Sequence, residues 1–205
     1  GIILGSTRPG RRGDQVARWV HEQASARGDA DYELIDIADF ALPHLDEAVP
    51  PSMGQYANDH TKAWSSTIAG FDGFIMVSPE YNHSTSGALK NALDYLYGEW
   101  NNKAVGFVSY GASAAGARAV EHLRLIAGEL AGPRAVENLR FTAGERQMPD
   151  VPQQVGVSLT TDFKGFTTLK PIPHHEAPLG VMLDQLVSWS TALRAVREGA
   201  LAAAA

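Results

Sequence analysis

Apolar residues in this 205-residue chain fall into two alternating patterns. The first is a short unbroken apolar run. Gly1–Leu4, Gly73-Phe74-Ile75-Met76-Val77-Ser78 and Ala104-Val105-Gly106-Phe107-Val108-Ser109 are of this kind. Such runs predict strands buried on both faces. Tyr32–Ile37 alternates like a strand, and Ala135–Phe141 reads as a fifth. The second pattern recurs at helical spacing. Val16, Trp19, Val20 and Ala24 predict an amphipathic helix over Asp14–Arg27, with Gly28 as its stop. Further helices are expected over Gln55–Ala69, Ser84–Tyr97, Gly116–Leu130 and Pro178–Arg197. Prolines 43, 50 and 51 break Ala41–Met53 into a loop, and Thr142–Pro173 reads as irregular.

Five strands alternating with helices predict an α/β doubly wound fold in three layers, with a parallel sheet between two helical layers. No repeat or low-complexity linker divides the chain, so 1–205 is expected to be one domain with an irregular arm over 142–177. In this architecture ligands bind at the carboxyl ends of the strands. The three loops that follow the apolar runs therefore belong together.

The first, "GSTRPGRRGD", joins a strand to a helix. Glycines open the backbone, a helix N-terminus offers N–H groups, and Arg8 can form a charge-assisted contact to phosphate. The Gly5-x4-Gly10 spacing matches a Walker A loop, but Arg11 and Arg12 stand where Lys and Ser/Thr are required. A Gly-x-Gly-x-x-Gly dinucleotide fingerprint is also missing. A mononucleotide phosphate remains.

The second loop begins "SPEYNHSTSGALKNALDYL", and its Glu80, Tyr81, Asn82 and His83 form a polar and aromatic cluster suited to a flat heteroaromatic ring. The third, "SYGASAAGARA", places small residues between Gly111 and Gly116, where a planar ligand could approach. Its Gly111-to-Ser113-to-Gly116 spacing is one residue too long for a nucleophile elbow.

Composition narrows the picture. The formal net charge of −6 argues against broad nucleic-acid or anionic-membrane binding, and three of the 17 Lys+Arg cluster in the first loop. Without cysteine there is no disulfide, thiolate or Cys-ligated metal. No apolar run reaches the roughly 20 residues of a membrane helix, and a cytoplasmic protein is expected. His174-His175-Glu176 puts three metal-ligating side chain types in a row. Adjacent ligands on a strand or helix converge poorly and no HExxH occurs, so no metal is expected.

Taken together, "GSTRPGR", "SPEYNHSTSGALKNALDYL" and "SYGASAAG" resemble the NADPH-dependent FMN reductase family over about Gly1–Phe141. The resemblance implies a flavodoxin-like five-stranded parallel sheet of order 2-1-3-4-5. It implies bound FMN, with phosphate near Ser6, Arg8, Asp14, Gln15 and Val16, although "RRGDQ" departs from the Ser and Asn common in that half of the loop. The ring would lie against Pro79, Glu80, Tyr81 and Asn82, with Ser109, Tyr110 and Gly111 closing the other side.

It also implies NADPH as reductant, and a quinone, azo dye, metal oxyanion or free flavin as small-molecule acceptor. No catalytic side chain is assigned, because the cofactor carries the chemistry. The alternative is a flavodoxin-like electron-transfer module without NAD(P)H activity. The resemblance further implies a homodimer or homotetramer, with Leu89, Leu93, Leu96 and Tyr97 available as apolar contacts. Phe163 and Phe166 of the arm are expected to cover part of a flavin pocket, in the same or a partner subunit.

Overall fold

A computed structural model describes residues 1–129 and 148–199. Five parallel strands form its sheet: β1 (Ile2–Leu4), β2 (Leu34–Asp36), β3 (Gly73–Pro79), β4 (Ala104–Gly111) and β5 (Asp150–Ser158). Their order is β2-β1-β3-β4-β5, the flavodoxin-like arrangement with its switch point between β1 and β3. The helices are α1 (Gly13–Ser25), α2 (Asp59–Ala69), α3 (Gly87–Asp94), α4 (Ala117–Glu129) and α5 (Glu176–Arg197). A two-stranded antiparallel hairpin, β6 (Phe163–Lys164) and β7 (Thr168–Leu169), lies between β5 and α5.

The unbroken apolar runs follow from burial on both faces. Side chains alternate across a strand. Ile2, Leu4, Ile75, Val77 and Val108 pack with Val16 and Val20 of α1 and Leu179, Met182 and Leu183 of α5. Ile3, Phe74, Met76, Val105 and Phe107 point the other way, onto Trp64 and Ile68 of α2, Leu89 and Leu93 of α3, and Val120 and Leu123 of α4. A Cβ at Gly106 would lie 3.2 Å from Met182 Sδ, so the gap in the β4 run lets α5 sit close.

The fifth strand differs from expectation. The expected Ala135–Phe141 strand lies outside the described residues. The fifth place in the sheet is taken by Asp150–Ser158, within the stretch expected to be irregular. Pro152 has no N–H to donate, and the register shifts between Val105 and Phe107, opposite Asp150 and Gln154. An edge strand with such an irregularity tolerates a proline that a central strand would not.

Helix α3 is shorter than expected. Ser84 bridges back to Tyr81, and Ser86 is the cap, its Oγ accepting the Leu89 N–H at 3.0 Å. Leu89, Leu93 and Leu96 are fully buried in the chain's own core, so they are not a surface for a second subunit. Phe163 is likewise a core residue, whereas Phe166 is exposed at the hairpin turn.

Candidate functional site

The parallel sheet delivers three loops to one edge, and specific bonds join them. Gly5 N–H donates to Val77 O at 2.9 Å, extending the β1–β3 pairing into the first loop. A Cβ on Gly5 would lie 2.7 Å from Leu89 Cδ2 and 3.0 Å from Val77 O, so only glycine fits there. Ser86 Oγ donates to Gly5 O, tying the start of α3 to the first loop. Ser6, fully buried, shares a 2.9 Å hydrogen bond with the Tyr81 hydroxyl of the second loop. Glu80 N–H donates to Tyr110 O at 3.1 Å, joining the second loop to the third.

The three arginines of the first loop have different roles. Arg11 is largely buried, with 14% of its side chain exposed. It forms a two-point pair with Asp36 at the end of β2, donates to Asp14 Oδ1 at 2.9 Å and to Ser6 O. Burial opposes its charge, but Asp36 and then Asp14 outweigh that and push its pKa up. Arg11 is therefore a strut. Arg12 Nε donates to Phe166 O at 2.9 Å and so reaches the hairpin. Arg8 is exposed and has no acidic partner among the described residues.

Around Arg8, the N–H groups of Thr7, Gly10 and Arg12 find no acceptor among the described residues. The first-turn N–H groups of α1 lack intrahelical partners by construction. Tyr110, buried and projecting from β4, has its hydroxyl beside Ser6 and Tyr81 but in full hydrogen-bonding geometry with no group among the described residues. Burial, and then Tyr81 nearby, push its phenol pKa up, so it stays a neutral donor. That hydroxyl sits where a Cβ on Gly13 would come within 2.7 Å, so glycine lets β4 and α1 meet here. Unpaired N–H groups, a free guanidinium and a buried hydroxyl fit a phosphate monoester.

Other residues expected at the phosphate serve the frame. Asp14 holds Arg11, and Val16 is in the core. Gln15 is bonded to the hairpin at both ends of its amide: Nε2 donates to Thr167 O at 2.7 Å, and Oε1 accepts the Leu169 N–H at 2.8 Å.

The second loop makes a tight turn in which Tyr81 and Ser84 exchange backbone hydrogen bonds of 2.8 and 3.1 Å. Asn82 and His83 between them both have positive φ, 50° and 68°, as a two-residue turn of this hand requires. Pro79 ends β3 buried, and Tyr81 is half-buried beside exposed Asn82. Glu80, 8% exposed, pairs with Arg118 of α4 at 2.5 Å and accepts the Arg118 N–H at 3.3 Å. It thus fixes α4 to the second loop. Arg118 NH1 also meets His83 Nε2 at 2.7 Å.

In the third loop Ser109 donates to Ala115 O at 2.9 Å, so its side chain folds the loop back on itself. Gly116, at φ +87°, would place a Cβ 2.5 Å from that of Ser109. A Cβ at Gly111 would lie 2.9 Å from Gly116 N.

Residues that motif reading did not single out include Asp36, Ser86 and Arg118. Ser86 alone carries a local signal, a serine opening a helix. Asp36 and Arg118 matter only through tertiary contact. A hollow of about 680 Å³ lies at the opposite edge of the sheet. Its lining includes Asp29, Asp31, Glu33 and Asp72, a set of carboxylates ill suited to phosphate.

Known proteins give the same reading. A family model described as NADPH-dependent FMN reductase matches residues 1–145. An NAD(P)H-dependent FMN reductase of Nectria is 43% identical over 134 residues, covering 61% of this chain and 67% of the relative. One from Schizosaccharomyces pombe is 45% identical over 131 residues, covering 63% of this chain and 65% of the relative. The chain thus spans about two thirds of the length of each. An oxidoreductase structure from Corynebacterium diphtheriae superposes with a TM-score of 0.63 at 18% identity, over 93% of this chain and 94% of the other, a likeness of fold. With the sheet order, the three joined loops and the family match over most of its length, the chain belongs to the NADPH-dependent FMN reductase family.

Proposed function

We propose that this chain is a single-domain, FMN-dependent NAD(P)H oxidoreductase that reduces a small acceptor: a quinone, an azo compound, a metal oxyanion or free flavin. The observation that carries this is the first loop itself, where Arg8 is exposed without an acidic partner among the described residues and the start of α1 at Gly13 meets the buried Tyr110 hydroxyl. Bound FMN would supply the hydride and electron transfer between nicotinamide and acceptor.

The chain's own task is binding and orientation. Ser6, held by Tyr81, and Arg8 receive the phosphate. Pro79, Tyr81 and Asn82 support the ring from the second loop, with Tyr110 and Gly111 at its other side. Glu80 and Ser109 hold those loops in place through Arg118 and Ala115. One exposed face would serve donor and acceptor in turn, a ping-pong sequence.

Two properties belong to the same proposal. Self-association as a dimer or tetramer is supported by Val181, Trp189 and Val196, exposed apolar residues along one side of α5. Operation in the cytoplasm is supported by the lack of cysteine, and no helix among the described residues is long and apolar enough to cross a membrane.

The test is anaerobic mixing of the FMN-loaded protein with NADPH, followed by steady-state rates with a quinone. Bleaching of the flavin bands and parallel double-reciprocal lines are expected. A flavin that stays oxidised under excess NADPH would instead support an electron-transfer module.

A further inference from the structure

Among the described residues, one group of imidazoles and carboxylates converges: Asp162, His174 and His175, whose ligand atoms lie within 4.8 Å of one another. The two histidines are neighbours in sequence and were expected to diverge. They lie in a 3-10 turn, Pro173–His175, leading into α5, and both aim Nε2 at one carboxylate. Asp162 Oδ1 is 3.2 Å from His174 Nε2, and Oδ2 is 3.1 Å from His175 Nε2. A tetrahedral ion with bonds near 2.1 Å spaces its ligand atoms by about 3.4 Å; each imidazole already lies near that distance from one oxygen of Asp162, and all three groups bring a ligand atom within 4.8 Å of the others.

The surroundings are those of a held ligand set. Asp162 is buried at 5% exposure, and its Oδ2 accepts the Ser158 N–H at 2.8 Å. The Thr161 hydroxyl donates to Oδ1 at 3.2 Å. Outer bonds of this kind orient a ligating carboxylate. His175 is mostly buried, its ring against Trp19 at 6.4 Å between centroids. His174 is 59% exposed, which leaves one side of the cluster open to water.

We propose that Asp162, His174 and His175 form a binding site for a borderline divalent cation of the Zn²⁺ class, completed by water. Two imidazoles and one carboxylate are a donor set for such ions rather than for Mg²⁺ or Ca²⁺. The ion would tie the turn after β5 to the start of α5, across the β6–β7 hairpin. That hairpin holds Gln15 and Arg12 beside the first loop, so the ion would steady the arm against α1.

The test uses untagged, chelator-stripped full-length protein titrated with Co²⁺ and Zn²⁺. A visible Co²⁺ absorption band of tetrahedral intensity is expected, displaced by Zn²⁺ at one equivalent. At a hundredfold excess over Kd, Zn²⁺ should raise Tm by at least about 5 °C. His174→Ala, an exposed change, should fold as the parent does, weaken binding at least tenfold and abolish the Tm rise. Asp162→Asn should do the same to binding, and FMN affinity should be unchanged by His174→Ala. No Zn²⁺ binding below 100 μM, or equal binding by the parent and both variants through other histidines, would overturn the proposal.

Discussion

Arg8, Arg11 and Arg12 lie within five positions and have three different fates. Asp36, which decides this, is 25 residues from Arg11 and reaches it because β1 and β2 pair with Leu4 opposite Asp36. The sequence therefore shows a basic glycine-rich loop but not which arginine is free, since the distinction arises from a strand pairing. Arg11→Ala should destabilise the protein by about 1–3 kcal/mol, because it leaves the Asp36 charge without its cation, with only the Ala38 N–H still donating to it, and removes the Ser6 carbonyl's donor in a partly buried place. Urea unfolding measures this. Arg8→Ala should leave the urea midpoint unchanged.

At the level of elements, the apolar runs of β1, β3 and β4 were readable because α1 and α5 cover one face and α2, α3 and α4 the other. The strand β5 was not, because its proline and its shifted register look like a loop when read alone. The start of α3 is a cap that also holds the first loop. Ser86→Ala removes both bonds and should lower stability by about 1–2 kcal/mol. Gly116→Ala should cost about as much or more, because φ +87° and the Ser109 contact both oppose a side chain. Chemical denaturation of the two variants, with β4 amide exchange for the second, checks these values. The residues expected to touch phosphate divide by element too: Gln15 turned out to anchor the hairpin, a contact 152 residues away that no local pattern encodes.

On the scale of the molecule, one buried lysine couples the ends of two elements. Lys103 Nζ donates to Ile68 O at 2.7 Å and Ala69 O at 3.1 Å at the end of α2, and burial, with Arg197 nearby, lowers its pKa to about 8. Between about pH 8 and its unfolded value of about 10.5 the unfolded chain binds more protons there, so this group's contribution makes stability rise with pH over that window. The stability of the parent relative to Lys103→Met should therefore increase from pH 8 to pH 10. A flat difference would remove Lys103 from the account.

The first loop is proposed to hold the phosphate of FMN. The most direct test is a fluorescence titration of the flavin-free protein with FMN and, separately, with riboflavin, which lacks only the phosphate. FMN should bind roughly ten to a hundred times more tightly, as charge-assisted bonds of about 1.5–3 kcal/mol imply, and Arg8→Ala should narrow that gap. Equal affinities for the two flavins, or a gap that Arg8→Ala leaves intact, would contradict the account.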